Sequence, residues 1–329
     1  MQPADIAVIK QIIILTLLGL TGFAAGRTKY LPDNSGVILS RVVIKLTAPL
    51  LIITKMSEYS FGSDTLKNGF WILASGVFFI LIAGLLGWGA SHVLNLQSTS
   101  SNVYKMLSMF GNVIFMAYPL LSAIYPEKGI VYAIFFNIAN DLVLWTLGIF
   151  LVNRHVAKSW KDNIKHLING NTIAFGIGVL FIVINLQDLI QKHSMAKRVY
   201  SILFDTFSPL GHTTIYLSML FIGLILSEIK IGNISDIVKR YPLFVLAALK
   251  LLVVPFIAMA VLYAAGDILS PMVKSIIVLQ LAMPCGTIVS ALASQYNSDY
   301  RFATEGVFVT TILSIVTLPL VAHLTQIFG

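Results

Sequence analysis

The stretch FGNVIFMAYPLL, residues 110 to 121, places an asparagine and a proline inside an apolar run long enough to cross a bilayer. Proline lacks an N–H and clashes with the carbonyl four residues before it, so Pro119 is expected to free the carbonyl of Phe115. The run would then form two half-helices. The second would begin near the proline, with unpaired N–H groups at Leu120 and Leu121.

A second apolar run, LQLAMPCGTIVSALA, carries Pro284 near its middle. By the same reasoning it should free the carbonyl of Gln280 and expose the N–H groups of Cys285, Gly286 and Thr287. Helix N-termini bind anions, and freed carbonyls bind cations. Neither kind of group is stable against lipid. Both breaks are therefore expected deep in the protein, beside a cavity that holds an anion with or without a cation.

Asn112 lies one helical turn before the expected free carbonyl, and Gly111 beside it permits close backbone approach. An amide offers hydrogen-bond donors and acceptors without a fixed charge. This suits a group that grips a carboxylate and then releases it. The alternative is that Asn112 only joins helices by a hydrogen bond.

The composition explains why such a site must lie within a membrane. Of 329 residues, 57% are hydrophobic and 11% are charged, with a mean hydropathy of +0.87, whereas soluble domains carry roughly 25% charged residues. We therefore predict an all-α polytopic protein of the plasma (inner) membrane. Ten stretches approach the roughly 20 residues that a span requires: 5–25, 36–56, 69–93, 105–125, 129–151, 170–186, 206–228, 241–264, 274–295 and 305–327.

Ten spans divide into a first five-helix repeat at 1–152, a basic linker at 153–169 and a second repeat at 170–329. Because five is odd, the second repeat would be inverted. The two prolines then fall in corresponding spans, the fourth and the ninth, which is typical of a midplane site in a secondary transporter. The alternative is that they simply kink their helices. The distribution of Lys and Arg favours a cytoplasmic linker and both termini outside.

Two ionisable residues lie near the middle of predicted spans, Asp141 in the fifth and Lys250 in the eighth. Such residues are costly in a membrane and are candidates for function. Asn137 and Asn140 precede Asp141 on the same helix. We hypothesise that Asp141, alone or paired with Lys250, couples transport to a proton. The alternative is a static pair that holds the helices together.

Other chemistry is weakly supported. The 6 histidines are scattered near span ends, so no metal site is expected, and the single cysteine excludes an internal disulfide. No phosphate-binding loop of the Gly-x-x-x-x-Gly-Lys type is present, and no nucleophile–base arrangement indicates an enzyme. The net charge of +8 is read as a topology signal rather than as a nucleic-acid surface.

The segment GNVIFMAYPLL resembles the Gly-Asn-x-x-Phe-x-x-x-Pro-Leu motif of the auxin efflux carrier family, which includes plant PIN-type exporters and bacterial permeases for organic acids such as malate and malonate. Further similar segments are LTAPLLI, NDLVLWTLG, IGLIL, KLLVVP, MPCGT and TTILSIVTLPL. The absence of a long central loop is typical of the prokaryotic branch.

The resemblance implies a five-plus-five inverted repeat with broken helices 4 and 9 that cross at their prolines, a bile-acid-transporter-like or NhaA-like arrangement. It also implies elevator-type movement of helices 3–5 and 8–10 past a scaffold of helices 1, 2, 6 and 7, homodimers, and Asn112 at the substrate carboxylate. The predicted substrate-binding residues are Gly111, Asn112, Phe115, Pro119, Asn137, Gln280, Pro284, Cys285, Gly286 and Thr287, and the predicted coupling residues are Asn140, Asp141 and Lys250.

The sequence thus predicts a secondary transporter that exports or exchanges a small organic anion, without a cofactor and with proton or sodium coupling. Two alternatives stay open. One is a ligand sensor or channel of the same fold, and the other is a sodium-coupled carrier of the bile-acid type, which would need cation-coordinating carboxylates at the crossing.

Overall fold

A computed structural model describes residues 3–58, 65–152, 168–228 and 240–327. These residues form helices and connecting turns, with one isolated β-bridge and no strand within the described ranges. Most of the predicted linker lies outside them. The helices are α1 Pro3–Arg27, α2 Ser35–Ser57, α3 Thr65–Val93, α4 Ser98–Met109, α5 Ala117–Ile124, α6 Gly129–Val152, α7 Gly170–Val183, α8 Leu186–Lys192, α9 Ser194–Glu228, α10 Tyr241–Ala264, α11 Pro271–Leu281, α12 Thr287–Gln295 and α13 Tyr300–Ile327.

Six of the described helices are long and apolar enough to cross a membrane, namely α2, α3, α6, α9, α10 and α13. The pair α7 and α8, bent by 58°, forms a seventh candidate if it is one span. The expectation of an all-helical polytopic membrane protein is therefore confirmed. The ten spans and the inverted repeat stay predictions. At 1.5 Å per residue, α4, α5, α11 and α12 are each too short to cross a hydrocarbon core of about 30 Å alone.

The helices pack in two groups. In the first, which we call the α9 group, α1, α2 and α8 pack against α9, and α7 packs against α2. The second group contains the interrupted pairs α4 with α5 and α11 with α12, and we call it the break group. In it, α3 packs against α4 and α6, α5 packs against α6, and α13 packs against α10, α11 and α12. The groups meet where α1 contacts α5 and α13, and where α2 contacts α6.

Glycine permits the closest contact within the α9 group. A Cβ on Gly223 of α9 would overlap the carbonyl oxygen of Gly19 of α1, and a Cβ on Gly22 would overlap the carbonyl of Leu220. Small residues let transmembrane helices approach until their backbones touch. The contact of α1 with α9 is therefore tight and leaves little freedom for relative movement.

Three of the described helices contain a π-helical turn: Val43–Thr47 in α2, Leu144–Gly148 in α6 and Leu249–Val253 in α10. Each turn accommodates one residue more than an α-helical turn, and such turns occur frequently at functional sites. The turn in α10 contains Lys250, whose side chain is buried.

The two helix breaks touch each other so closely that one glycine is required there. A Cβ on Gly286 would lie 2.9 Å from the carbonyl oxygen of Gly111, a backbone atom that cannot move aside alone. We expect Gly286→Ala to lower stability by about 1–3 kcal/mol through overpacking, seen as a lower thermal midpoint in detergent. Gly176→Ala is the control, because no atom lies within 4 Å of its Cβ position. If Gly286→Ala unfolded at the same temperature as the wild type, the close approach of the two breaks would be contradicted.

Candidate functional site

The breaks between α4 and α5 and between α11 and α12 pair with each other. The N–H of Asn112 donates to the carbonyl of Pro284 at 2.8 Å, and the N–H of Gly286 donates to the carbonyl of Phe110 at 2.9 Å. Between them, Gly111 and Cys285 form an isolated antiparallel bridge. Backbone groups that the breaks remove from helices thus find partners inside the protein, as a lipid environment requires.

The first break lies earlier than its proline suggested. α5 begins at Ala117, so Pro119 stands in its first turn, and the N–H of Leu120 donates to the carbonyl of Met116. Proline is tolerated in the first turn because that position has no helical N–H partner. The expectation of a free N–H at Leu120 was therefore wrong. Leu121 lies within the same helix.

The second break also uses donors that the sequence suggested were free. The N–H of Cys285 donates to Thr310 Oγ1 at 3.1 Å, and that of Gly286 is held by the other break. The carbonyl of Gln280, expected to be free, accepts from the N–H of Met283 at 3.3 Å. Of the three predicted anion donors, only the N–H of Thr287 stays available.

The donors that stay unpaired belong to neighbouring residues. Among the described residues, the N–H groups of Val113, Ile114 and Phe115 have no protein acceptor. The same holds for Thr287 and Ile288, the first residues of α12. Such N–H groups, together with the helix dipole, make an anion-binding position.

These donors line a cavity of about 150 Å³ between the two groups of helices. Besides both breaks, its wall contains α2, α6 and the start of α7. The lining residues are Ile44, Gly111, Asn112, Val113, Ile114, Phe115, Asn137, Asn140, Asp141, Leu144, Trp145, Asn169, Asn171, Gly286, Thr287 and Ile288.

The cavity contains amide groups that the protein leaves unsatisfied. Both side-chain polar atoms of Asn137 and the Oδ1 atoms of Asn140 and Asn171 are buried without a hydrogen-bond partner in the structure. Asn112 is also buried, with only 4% of its surface exposed, and its side chain forms no hydrogen bond with a described residue. A buried polar atom without a partner costs about 1–3 kcal/mol. Several such atoms around one cavity indicate a polar ligand.

The predicted coupling residues separate in space. Asp141 is partly buried and lines the cavity. Lys250 is 1% exposed, and its Nζ donates to the carbonyl of Met109 at 3.3 Å, at the end of α4. Among the described residues, no cation lies within ion-pair distance of Asp141. The suggested pairing of Asp141 with Lys250 is therefore not present in this structure.

Four predicted substrate-binding residues lie outside the cavity wall. Pro119 and Pro284 are buried, and Pro284 contributes only its carbonyl to the paired breaks. Gln280 donates to the carbonyl of Ala133, while its Oε1 is unpaired. Cys285 Sγ contacts the carbonyl of Leu107. No cluster of three His, Cys, Asp or Glu that would hold a metal occurs in the described part of the chain.

Asn169 and Asn171 belong to the site but were not predicted. The segment NGNTIA that begins α7 contains them. Asn169 Oδ1 accepts from the N–H of Asn171 and of Thr172, and Thr172 Oγ1 accepts from the N–H of Asn169, which is a capping box. The capping pattern is readable in the sequence, but its position beside the breaks is not.

The asparagines of the cavity should differ in their effect on stability. Asn169→Ala removes the cap of α7. It should lower the free energy of unfolding by about 0.5–2 kcal/mol and therefore lower the thermal midpoint. Asn137→Ala removes two unpaired atoms and should leave the midpoint unchanged or raise it. Thermal unfolding of both variants in detergent measures this. A large loss in Asn137→Ala would show that Asn137 has a structural partner.

Comparison with known proteins agrees with this architecture. Residues 7–322 match the membrane transport protein family. An uncharacterized transporter of Methanocaldococcus jannaschii is 23% identical over 327 residues, covering 97% of this chain and 98% of that protein. An uncharacterized transporter of Methanothermobacter thermautotrophicus is 24% identical over 312 residues, covering 94% of each. The chain therefore belongs to the membrane transport protein family, which is the auxin efflux carrier family that its motifs resemble.

Proposed function

We propose that this protein is a secondary active transporter that exports or exchanges a small organic anion, such as a mono- or dicarboxylate. The observation that carries the proposal is the cavity of about 150 Å³ at the paired breaks, where unpaired backbone N–H groups and unpaired amides converge. Membership of a transporter family supports the class of function. The substrate and the transport cycle are proposals.

The carboxylate would lie between the two breaks. Its oxygens would accept from N–H groups of Val113–Phe115 and of Thr287 and Ile288, and from the amide of Asn112. These donors carry partial rather than full charges. Lys250 is the nearest buried cation that the structure shows at the breaks, but it lies behind Gly111 and outside the cavity wall. The anion would thus be attracted without a direct ion pair, and release would stay easy.

The packing supports an elevator-type movement. The cavity lies where the break group meets the α9 group, because Ile44, Asn169 and Asn171 come from the latter. A second cavity of about 310 Å³, almost wholly apolar, lies at the same boundary between α1 and α9 on one side and α5 and α13 on the other. We propose that the break group carries the anion past the α9 group, and that the α9 groups of two copies form a dimer.

Proton coupling is assigned to Asp141, which faces the cavity without an ion pair among the described residues. A sodium-coupled cycle of the bile-acid type is expected to use cation-coordinating carboxylates around the crossing, and among the described residues Asp141 is the one carboxylate on this cavity wall. We further propose that both termini lie outside and that the linker is cytoplasmic.

Uptake into proteoliposomes tests the transport function and Asn112 together. With radiolabelled malate, malonate and indole-3-acetate offered separately, we expect saturable uptake of at least one by the wild type. Asn112→Ala should lower it by roughly tenfold or more, because a hydrogen bond to a charged group contributes about 1.5–3 kcal/mol. Asn34→Ala is the control, since Asn34 is exposed and its side chain caps no helix N–H.

The same assay separates the alternatives. Binding of an anion to the folded protein without accumulation in the vesicles would favour a sensor. Rapid equilibration that no gradient can drive uphill would favour a channel. Transport that the Asn112→Ala variant performs as well as the wild type would place the carboxylate elsewhere.

The role of Asp141 is tested by imposing a pH gradient across the vesicles. The wild type should accumulate substrate when the gradient is present, whereas Asp141→Asn, which cannot exchange a proton, should only equilibrate it. The measurement is the ratio of internal to external substrate at steady state. Gradient-driven accumulation by the variant would show that the coupling group is another residue.

A further inference from the structure

The wall of the cavity contains two chemically different sets of groups. Both breaks present donors, namely the unpaired N–H groups at Val113–Phe115 and at the start of α12. α6 presents the carboxylate of Asp141 and the unpaired Oδ1 atoms of Asn137 and Asn140, together with one unpaired donor, Asn137 Nδ2. A ligand that fills the cavity therefore meets the donors of the breaks and, on α6, more unpaired acceptors than unpaired donors.

A simple carboxylate satisfies only the first set. Its oxygens pair with the breaks, but its apolar remainder would leave the Oδ1 acceptors of α6 unpaired and would give the Asp141 carboxylate no donor from the ligand. Removing such acceptors from water without a partner is unfavourable. A second carboxylate next to Asp141 would repel it, because like charges in a partly dry cavity repel, so a dicarboxylate would need to place its donor, and not its second carboxylate, against Asp141.

We propose that the substrate is a small carboxylate that carries a hydrogen-bond donor, a hydroxyl or an ammonium group, which Asp141 and Asn140 accept. This inference rests on the proposed function and names the substrate class of the same site. The size of the cavity agrees with it. About 150 Å³ is below the roughly 300–1,000 Å³ of pockets for drug-sized ligands, so a compound of few carbon atoms fits.

Two matched sets of substrates test the inference in proteoliposomes. Propionate, lactate and alanine share a three-carbon chain and differ in having no donor, a hydroxyl or an ammonium group. Succinate, malate and aspartate do the same with four carbons. In at least one set, we expect a donor-bearing compound to be taken up about tenfold or more faster than its parent acid, because a site built to bind a donor rejects the analogue that lacks it. Comparison of the hydroxyl compound with the ammonium compound in that set shows which of the two donors the site binds.

Asp141 variants show whether the preference arises at this residue. Asp141→Asn should reduce it to about twofold or less, while Asp141→Glu, which keeps the acceptor charge, should retain most of it. Asp188→Asn makes the same change at an exposed ion pair with Lys192 of α8 and should leave the preference intact.

The possible outcomes distinguish failure of this inference from failure of the proposed function. Equal uptake of parent and donor-bearing acids, or a preference that survives in Asp141→Asn, overturns this inference and leaves the transport of carboxylates standing. Uptake of malonate or indole-3-acetate but of none of the six compounds overturns this inference alone, whereas uptake of none of these eight compounds by folded protein overturns the proposed function and this inference with it.

Discussion

A backbone N–H or carbonyl that leaves a helix inside a membrane must find another partner, and this constraint explains the centre of the molecule. α4 and α11 end within the protein, and each leaves an extended segment that lipid would not tolerate. The two segments satisfy each other through the bonds between Asn112 and Pro284 and between Gly286 and Phe110. Each break thus provides hydrogen-bond partners for the other, and Thr310 holds the N–H of Cys285 in addition. What stays unpaired afterwards, on the cavity side, is available to a ligand.

The buried Lys250 is best understood from the same constraint. α4 ends at Met109, where the last carbonyls, which the helix leaves without an N–H partner of its own, form the negative end of the helix dipole. The ammonium group of Lys250 lies against that end at the Met109 carbonyl. A cation here stabilises the helix terminus and places positive charge next to Gly111. This accounts for a charged residue in a dry position without a carboxylate partner among the described residues.

Sequence reasoning located the breaks but not their exact composition. Pro119 and Pro284 lie in the runs that are interrupted, because proline removes one helical hydrogen bond, and Asn112, Asn137 and Asp141 line one cavity. Which N–H groups stay free could not be predicted, because Thr310 and Phe110, which pair with Cys285 and Gly286, are distant in the chain. Asn169 and Asn171 join the site through packing of α7 against α2, which no local pattern encodes.

The π-helical turns of α2, α6 and α10 add a constraint on chain length. Ile44, Leu144 and Trp145 on the cavity wall, and Lys250 behind it, all lie within these turns. An α-helix advances about 100° per residue, so the additional residue sets the rotational phase of everything that follows. Loss of one residue from such a turn would keep the helix and its hydropathy but point its distal half in another direction. The spacing of these segments, and not only their composition, therefore carries information about the site.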